Sequence, residues 1–115
     1  MTDDKNHVTL MKKLRSDDAS VRRDAVNTLG KHGDWRAVDA LIPLLQDPSS
    51  DVRRDTVLAL RRIGDTRAFS AMCQMLGDPE TAVRRRTSAW IMSMGQDSRL
   101  VPALVDVLTP TAQRI

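Results

Sequence analysis

Few side chains in this sequence could do chemistry: two histidines, one cysteine and a recurring set of arginines. Cys73 could act as a nucleophile only with a base or cation close enough to favour its thiolate. No histidine falls beside it in register, and with Met72 and Met75 on the same stretch it reads as a core thiol. A single cysteine makes no internal disulfide and begins no zinc-site spacing. His7 and His32 fall on different predicted helices and neither begins a His-Glu pair, so no metal site, no cofactor and no catalytic group is expected. Arginines are the remaining candidates. They recur as Arg22-Arg23, Arg53-Arg54 and Arg84-Arg85-Arg86, and their planar forks suit carboxylates and phosphates.

These arginines recur because the chain does. Shifted by 31 residues, Val21-Arg22-Arg23-Asp24 falls on Val52-Arg53-Arg54-Asp55 and then on Val83-Arg84-Arg85-Arg86. Gly33, Gly64 and Gly95 keep the spacing, and the third copy carries one extra residue near Gln96. Each unit reads as two helices. In the first, Val21, Ala25, Thr28, Leu29 and His32 recur at three- and four-residue steps, and Gly33 stops the helix. Asp34 then caps a second helix whose stripe is Ala37, Val38, Leu41, Leu44 and Leu45. The spacing predicts seven helices, at 5–15, 19–32, 35–46, 50–63, 66–77, 81–94 and 98–109, with a tail at 110–115. Paired, they run 5–32, 35–63 and 66–94, with 98–109 as a final half-repeat in a single domain of 1–115. Pro43 and Pro102 fall inside helices of the second kind and are expected to bend them. His32 shares the column of Ile63 and Met94 and is expected to be a partly buried structural residue.

Composition agrees with an all-α domain. Hydrophobic residues make up 41% of the chain but aromatics only 3%, which suits packed helices better than a sandwich. The N-terminus has acidic residues where a secretory signal carries cations, and the apolar stretch 37–45 is too short to cross a bilayer. A cytoplasmic protein without membrane contact is expected.

The motif Val-Arg-Arg-Asp, followed by Gly-Asp-x-Arg-Ala and then by a helix ending Leu-Leu-Gln-Asp-Pro, resembles the HEAT-like repeat of phycobiliprotein lyases, over about residues 7–108. The same repeat underlies engineered helical-repeat binders. The resemblance implies a right-handed α-α superhelix of about three and a half repeats, with the Val-Arg helices on the concave face. It also implies that Arg22, Arg53 and Arg84 pair with acids in the turns, Asp17, Asp47 and Asp78 being the candidates, in a structural ladder between repeats. One departure is Trp90, in a column held by Thr28 and Ala59.

With the apolar and ladder positions assigned, the expected partner-binding surface comprises Arg23, Asn27, Lys31, Arg54, Asp55, Leu58, Arg62, Arg85, Arg86 and Ala89. Asp24 and Asp55 give way to Arg86 in the third unit, so an acidic partner would favour the C-terminal end. Nucleic acid is disfavoured, because single-strand binding uses aromatic platforms and Trp90 is the sole candidate near these cations. The expected function is a protein-interaction scaffold, not an enzyme. A bilin lyase-like accessory is the alternative that the resemblance offers, and a phosphate-backbone binder is a third. The predicted helix 98–109 carries more apolar residues than one buried face needs, and an end-on contact or dimerisation through it is expected.

Overall fold

The structure is a computed structural model in which residues 2–94 are described, with side chains from residue 6 onward. The predicted helix at 98–109, the tail, Pro102 and the proposed end-on contact lie outside the described residues. Within them the fold is all-α, with six α-helices and no strand. The first, α1, spans Thr2–Lys13, somewhat earlier than the sequence pattern suggests.

Helices α2 (Ala19–His32), α4 (Ser50–Ile63) and α6 (Thr81–Met94) coincide with the predicted spans. Local chemistry sets their ends. The Asp18 carboxylate accepts the Ser20 N–H to open α2, and Gly33, at φ 61°, closes it while the N–H groups of Gly33 and Asp34 return to the carbonyls of Gly30 and Leu29. Gly64 closes α4 in the same left-handed conformation, at φ 74°. Positive φ at both positions is where a side chain would be strained.

The second helix of each unit is not the continuous α-helix expected. It divides into a 3-10 turn Trp35–Ala37, α3 (Val38–Leu41) and a 3-10 segment Ile42–Gln46, then again into Thr66–Ala68, α5 (Phe69–Cys73) and Gln74–Gly77. Pro43 lies in the first turn of its 3-10 segment, where a missing N–H breaks no bond. The proline does not cause the division, because residues 66–77 divide the same way without one. Both segments begin at an aspartate cap, Asp34 accepting from Arg36 N–H at 3.1 Å and Asp65 from Arg67 N–H at 2.9 Å.

One continuous core runs through the units, including Leu14, Val26, Leu29, Val38, Leu41, Leu45, Val57, Leu60, Phe69, Met72 and Trp90. No single pair could bury its stripe alone, so stability resides in the stacking of neighbours. Helix α2 packs on α4 more extensively than α4 packs on α6. Gly30 explains the closeness of the first contact: a Cβ there would stand 2.8 Å from both Cα and Cβ of Ala59. In the next contact the same columns hold Arg61, which is exposed, and Trp90. Trp90 is buried and meets Phe69 edge-on, with centroids 5.6 Å apart at 67°. Thr56 and Thr87, also buried, satisfy their hydroxyls on the carbonyls of Val52 and Val83.

His32 is exposed rather than partly buried. Among the described residues α2 is the first of its row, so no preceding helix of its kind covers that end.

Candidate functional site

The face formed by α2, α4 and α6 holds nearly all the arginines singled out above, and the fold sorts them into two groups. The first is consumed by the array. Arg22 Nε and Nη2 donate to the two oxygens of Asp47 at 2.8 and 3.0 Å, and Nη1 donates to the Ser16 carbonyl at 2.7 Å. Arg53 repeats this with Asp78, at 2.8 and 3.2 Å, and with the Asp47 carbonyl at 2.7 Å. Each fork therefore ties its own preceding turn to the turn of the next repeat with charge-assisted bonds. Burial opposes the charge of Asp78, yet hydrogen bonds from Arg53 and the Glu80 N–H hold its carboxyl below the ordinary range. Arg84 reaches its own turn, donating to the Asp78 carbonyl at 2.7 Å and to Thr81 Oγ1 at 2.9 Å, and meets no carboxylate among the described residues.

Asp17 does not join this ladder. It is exposed, and the residue in register with Asp47 and Asp78 is Ser16. Ser16 Oγ accepts the Asp18 N–H at 3.1 Å, as Asp47 Oδ1 accepts that of Ser49 and Asp78 Oδ1 that of Glu80. Arg22 and Arg53 each pair forward, with the acid of the following turn, so among the described residues an acid ahead of Arg22 has no ladder arginine to receive it.

A second network locks α2 to α4. Asp55, only 7% exposed, receives Arg23 Nε at 3.0 Å, Asn27 Nδ2 at 3.1 Å and Arg54 Nε at 3.3 Å. Burial works against its charge, and the bonds from Arg23 and Asn27 outweigh that cost and depress its pKa. Asp51 stands 3.8 Å from Arg23 and 3.6 Å from Arg54. Arg23, Asn27 and Asp55, expected on an open surface, are thus engaged with one another.

The second group is open. Arg85 and Arg86 form no hydrogen bond or ion pair among the described residues, and with Arg54, Ala82 and Ala89 they line a cleft of about 320 Å³ between α4 and α6. Leu58 is half-buried, and Lys31 and Arg62 are exposed in the last turns of α2 and α4, where cations favour the helix dipole. Neither Lys31 nor Arg62 lines the cleft.

Two contacts on the opposite side were not anticipated. His7 Nδ1 lies 2.6 Å from Asp34 Oδ2, joining α1 to the turn after α2. Arg67 spans from Asp65 to Asp39 and the Trp35 carbonyl. The recurring Gly-Asp-x-Arg-Ala signals the second; nothing in the spacing signals the first. Burial raises the pKa of the half-buried Cys73 thiol, which suits a packing role. Among the described residues no three His, Cys, Asp or Glu side chains gather as a metal site would require, and no helix is long and apolar enough to cross a membrane.

Stacked helix pairs joined by a forward-pairing arginine ladder define a helical-repeat protein. Residues 8–93 match the model for HEAT repeats, and the chain belongs to that family. In fold it is similar to the crystal structure of an engineered protein from the Northeast Structural Genomics Consortium, with a TM-score of 0.68 and 19% identity over 86% of this chain. The chain spans 49% of that protein's length. No curated protein matches.

Proposed function

We propose that this protein is an interaction scaffold that binds an acidic protein partner on the C-terminal half of the arginine face. HEAT repeats commonly serve as such scaffolds. One observation carries the reading: acids of the array occupy Arg22, Arg23 and Arg53, whereas Arg85 and Arg86 have no acidic partner among the described residues. Arginine contributes strongly to interfaces because its apolar plane and donor fork act together. Asn27, Arg23 and Asp55 then hold the helices in place, and Arg54, Arg85, Arg86 and Ala89 meet the partner.

The test is capture on the immobilised full chain followed by mass spectrometry, then titration of the recovered protein. The double variant Arg85→Glu, Arg86→Glu is expected to weaken that binding by at least about a hundredfold, since two charge-assisted contacts become repulsive. Lys31→Glu with Arg62→Glu should leave it nearly unchanged. Equal losses from both pairs would refute a localised site. Bilin absorbance on co-expression would instead support the lyase-like accessory, and a salt-steep mobility shift with DNA the phosphate-backbone binder.

A further inference from the structure

The internal repeat provides its own comparison for the open cleft. Where the second unit has Asp51, Arg54, Asp55 and Leu58, the third has Ala82, Arg85, Arg86 and Ala89. All three replacements act in one direction, removing two carboxylates, adding a guanidinium and cutting away an apolar side chain. Arg23 on α2 donates to Asp55 on α4. By the same step, Arg54 on α4 faces position 86 on α6, where it finds Arg86 and turns back to Asp55. The interface that an acid closes between α2 and α4 is left, between α4 and α6, as a cleft of about 320 Å³ edged by arginines. No acid lines it.

We infer that this cleft is a phosphoryl site, and that the partner presents a phosphorylated serine or threonine side chain to Arg54, Arg85 and Arg86. The inference rests on the reading of this face as partner-binding and names the group recognised. A phosphate monoester carries up to two charges and three terminal oxygens, enough to engage Arg85 and Arg86 together, with Arg54, which also donates to Asp55, at the edge of the cleft. A nucleic-acid strand is matched less well. Its phosphates carry one charge each along an extended track, but on this face Asp51 and Asp55 offset Arg23, and Trp90 is buried against Phe69 rather than offered for stacking.

The repeat also supplies a variant suited to the test. Arg86→Asp places on α6 the carboxylate that Asp55 supplies on α4, within the reach of Arg54, so a folded protein is expected. Calorimetric titration would use a short uncharged peptide carrying one phosphoserine, the same peptide with serine or glutamate, and a single-stranded oligonucleotide. The wild type is expected to bind the phosphoserine peptide at least about tenfold more tightly than the glutamate peptide, and Arg86→Asp to lose that preference. Arg85→Gln, a change at an exposed position, should weaken phosphopeptide binding in the same direction and serves if Arg86→Asp fails to fold. Phosphoserine and glutamate peptides binding equally, both lost in the variant, would overturn the phosphoryl site and leave the acidic-partner reading standing. Equal phosphopeptide binding by wild type and folded variants would remove the cleft from both. Tighter binding of the oligonucleotide than of the phosphopeptide would overturn the inference in favour of nucleic acid.

Discussion

Replacing Trp90 by alanine is expected to cost about 4 kcal/mol of folding stability, a large share of the 5–15 kcal/mol typical of a domain. The indole is 2% exposed, and its edge-on contact with Phe69 fixes α6 against α5. Alanine would lose the transfer energy of the ring and leave a void that the surrounding side chains close only in part. Trp90→Phe keeps an aromatic contact and should lose less than half as much. Urea unfolding followed by circular dichroism measures both. Trp35 is 64% exposed, so in a Trp35→Phe background the emission of Trp90 alone reports the transition. A stability within about 0.5 kcal/mol of wild type would show that the ring is a surface group, and would reopen the stacking platform that its burial now denies to nucleic acid.

Asp47→Ala is expected to destabilise by about 3 kcal/mol, because it removes both oxygens from the Arg22 fork and leaves a largely buried guanidinium with one carbonyl. The Ser49 N–H loses its acceptor as well. Asp17→Ala should stay within about 0.5 kcal/mol of wild type, since Asp17 is exposed and accepts no bond in the ladder. Adding Arg22→Met to Asp47→Ala should recover part of the loss, because the buried charge goes with its partner. Chemical denaturation of these variants separates forward from backward pairing. Equal costs for Asp17→Ala and Asp47→Ala would contradict the ladder as described.

Much of the fold is legible in the residues. The spans of α2, α4 and α6 follow from punctuation that recurs every 31 residues, with Asp18 or Ser49 before the helix and Gly33 or Gly64 after it. The division of the second helices is not legible, because apolar steps of three and four residues serve a 3-10 segment as well as an α-helix. Partners Asp47 and Asp78 were visible in register. Asp17 was misassigned by one position, and subtracting the period from Asp47 leads to Ser16. The buried state of Asp55 is not legible, since it depends on how closely α2 approaches α4, an approach that Gly30 against Ala59 permits. His7 meeting Asp34 was hidden for a similar reason: the sequence places both residues on their elements but does not state how α1 leans on the turn.

Where α2 and α4 meet closely, Asp55 receives Arg23, and the third unit has no acid at the matching position. Ala82, Arg86 and Ala89 remove what closes the first interface, and the freed cations are presented by rigid helices rather than loops. The array's acids hold Arg22, Arg23 and Arg53, and in the function proposed above Arg85 and Arg86 are left for a partner. Nuclear magnetic resonance of the arginine Nε–Hε groups, recorded while the captured partner is added, tests this directly. The Arg22, Arg23 and Arg53 signals are expected to exchange slowly with water and stay in place, while those of Arg85 and Arg86 exchange quickly when free and shift on binding. Movement confined to Arg22 and Arg53, with Arg85 and Arg86 unchanged, would contradict the account.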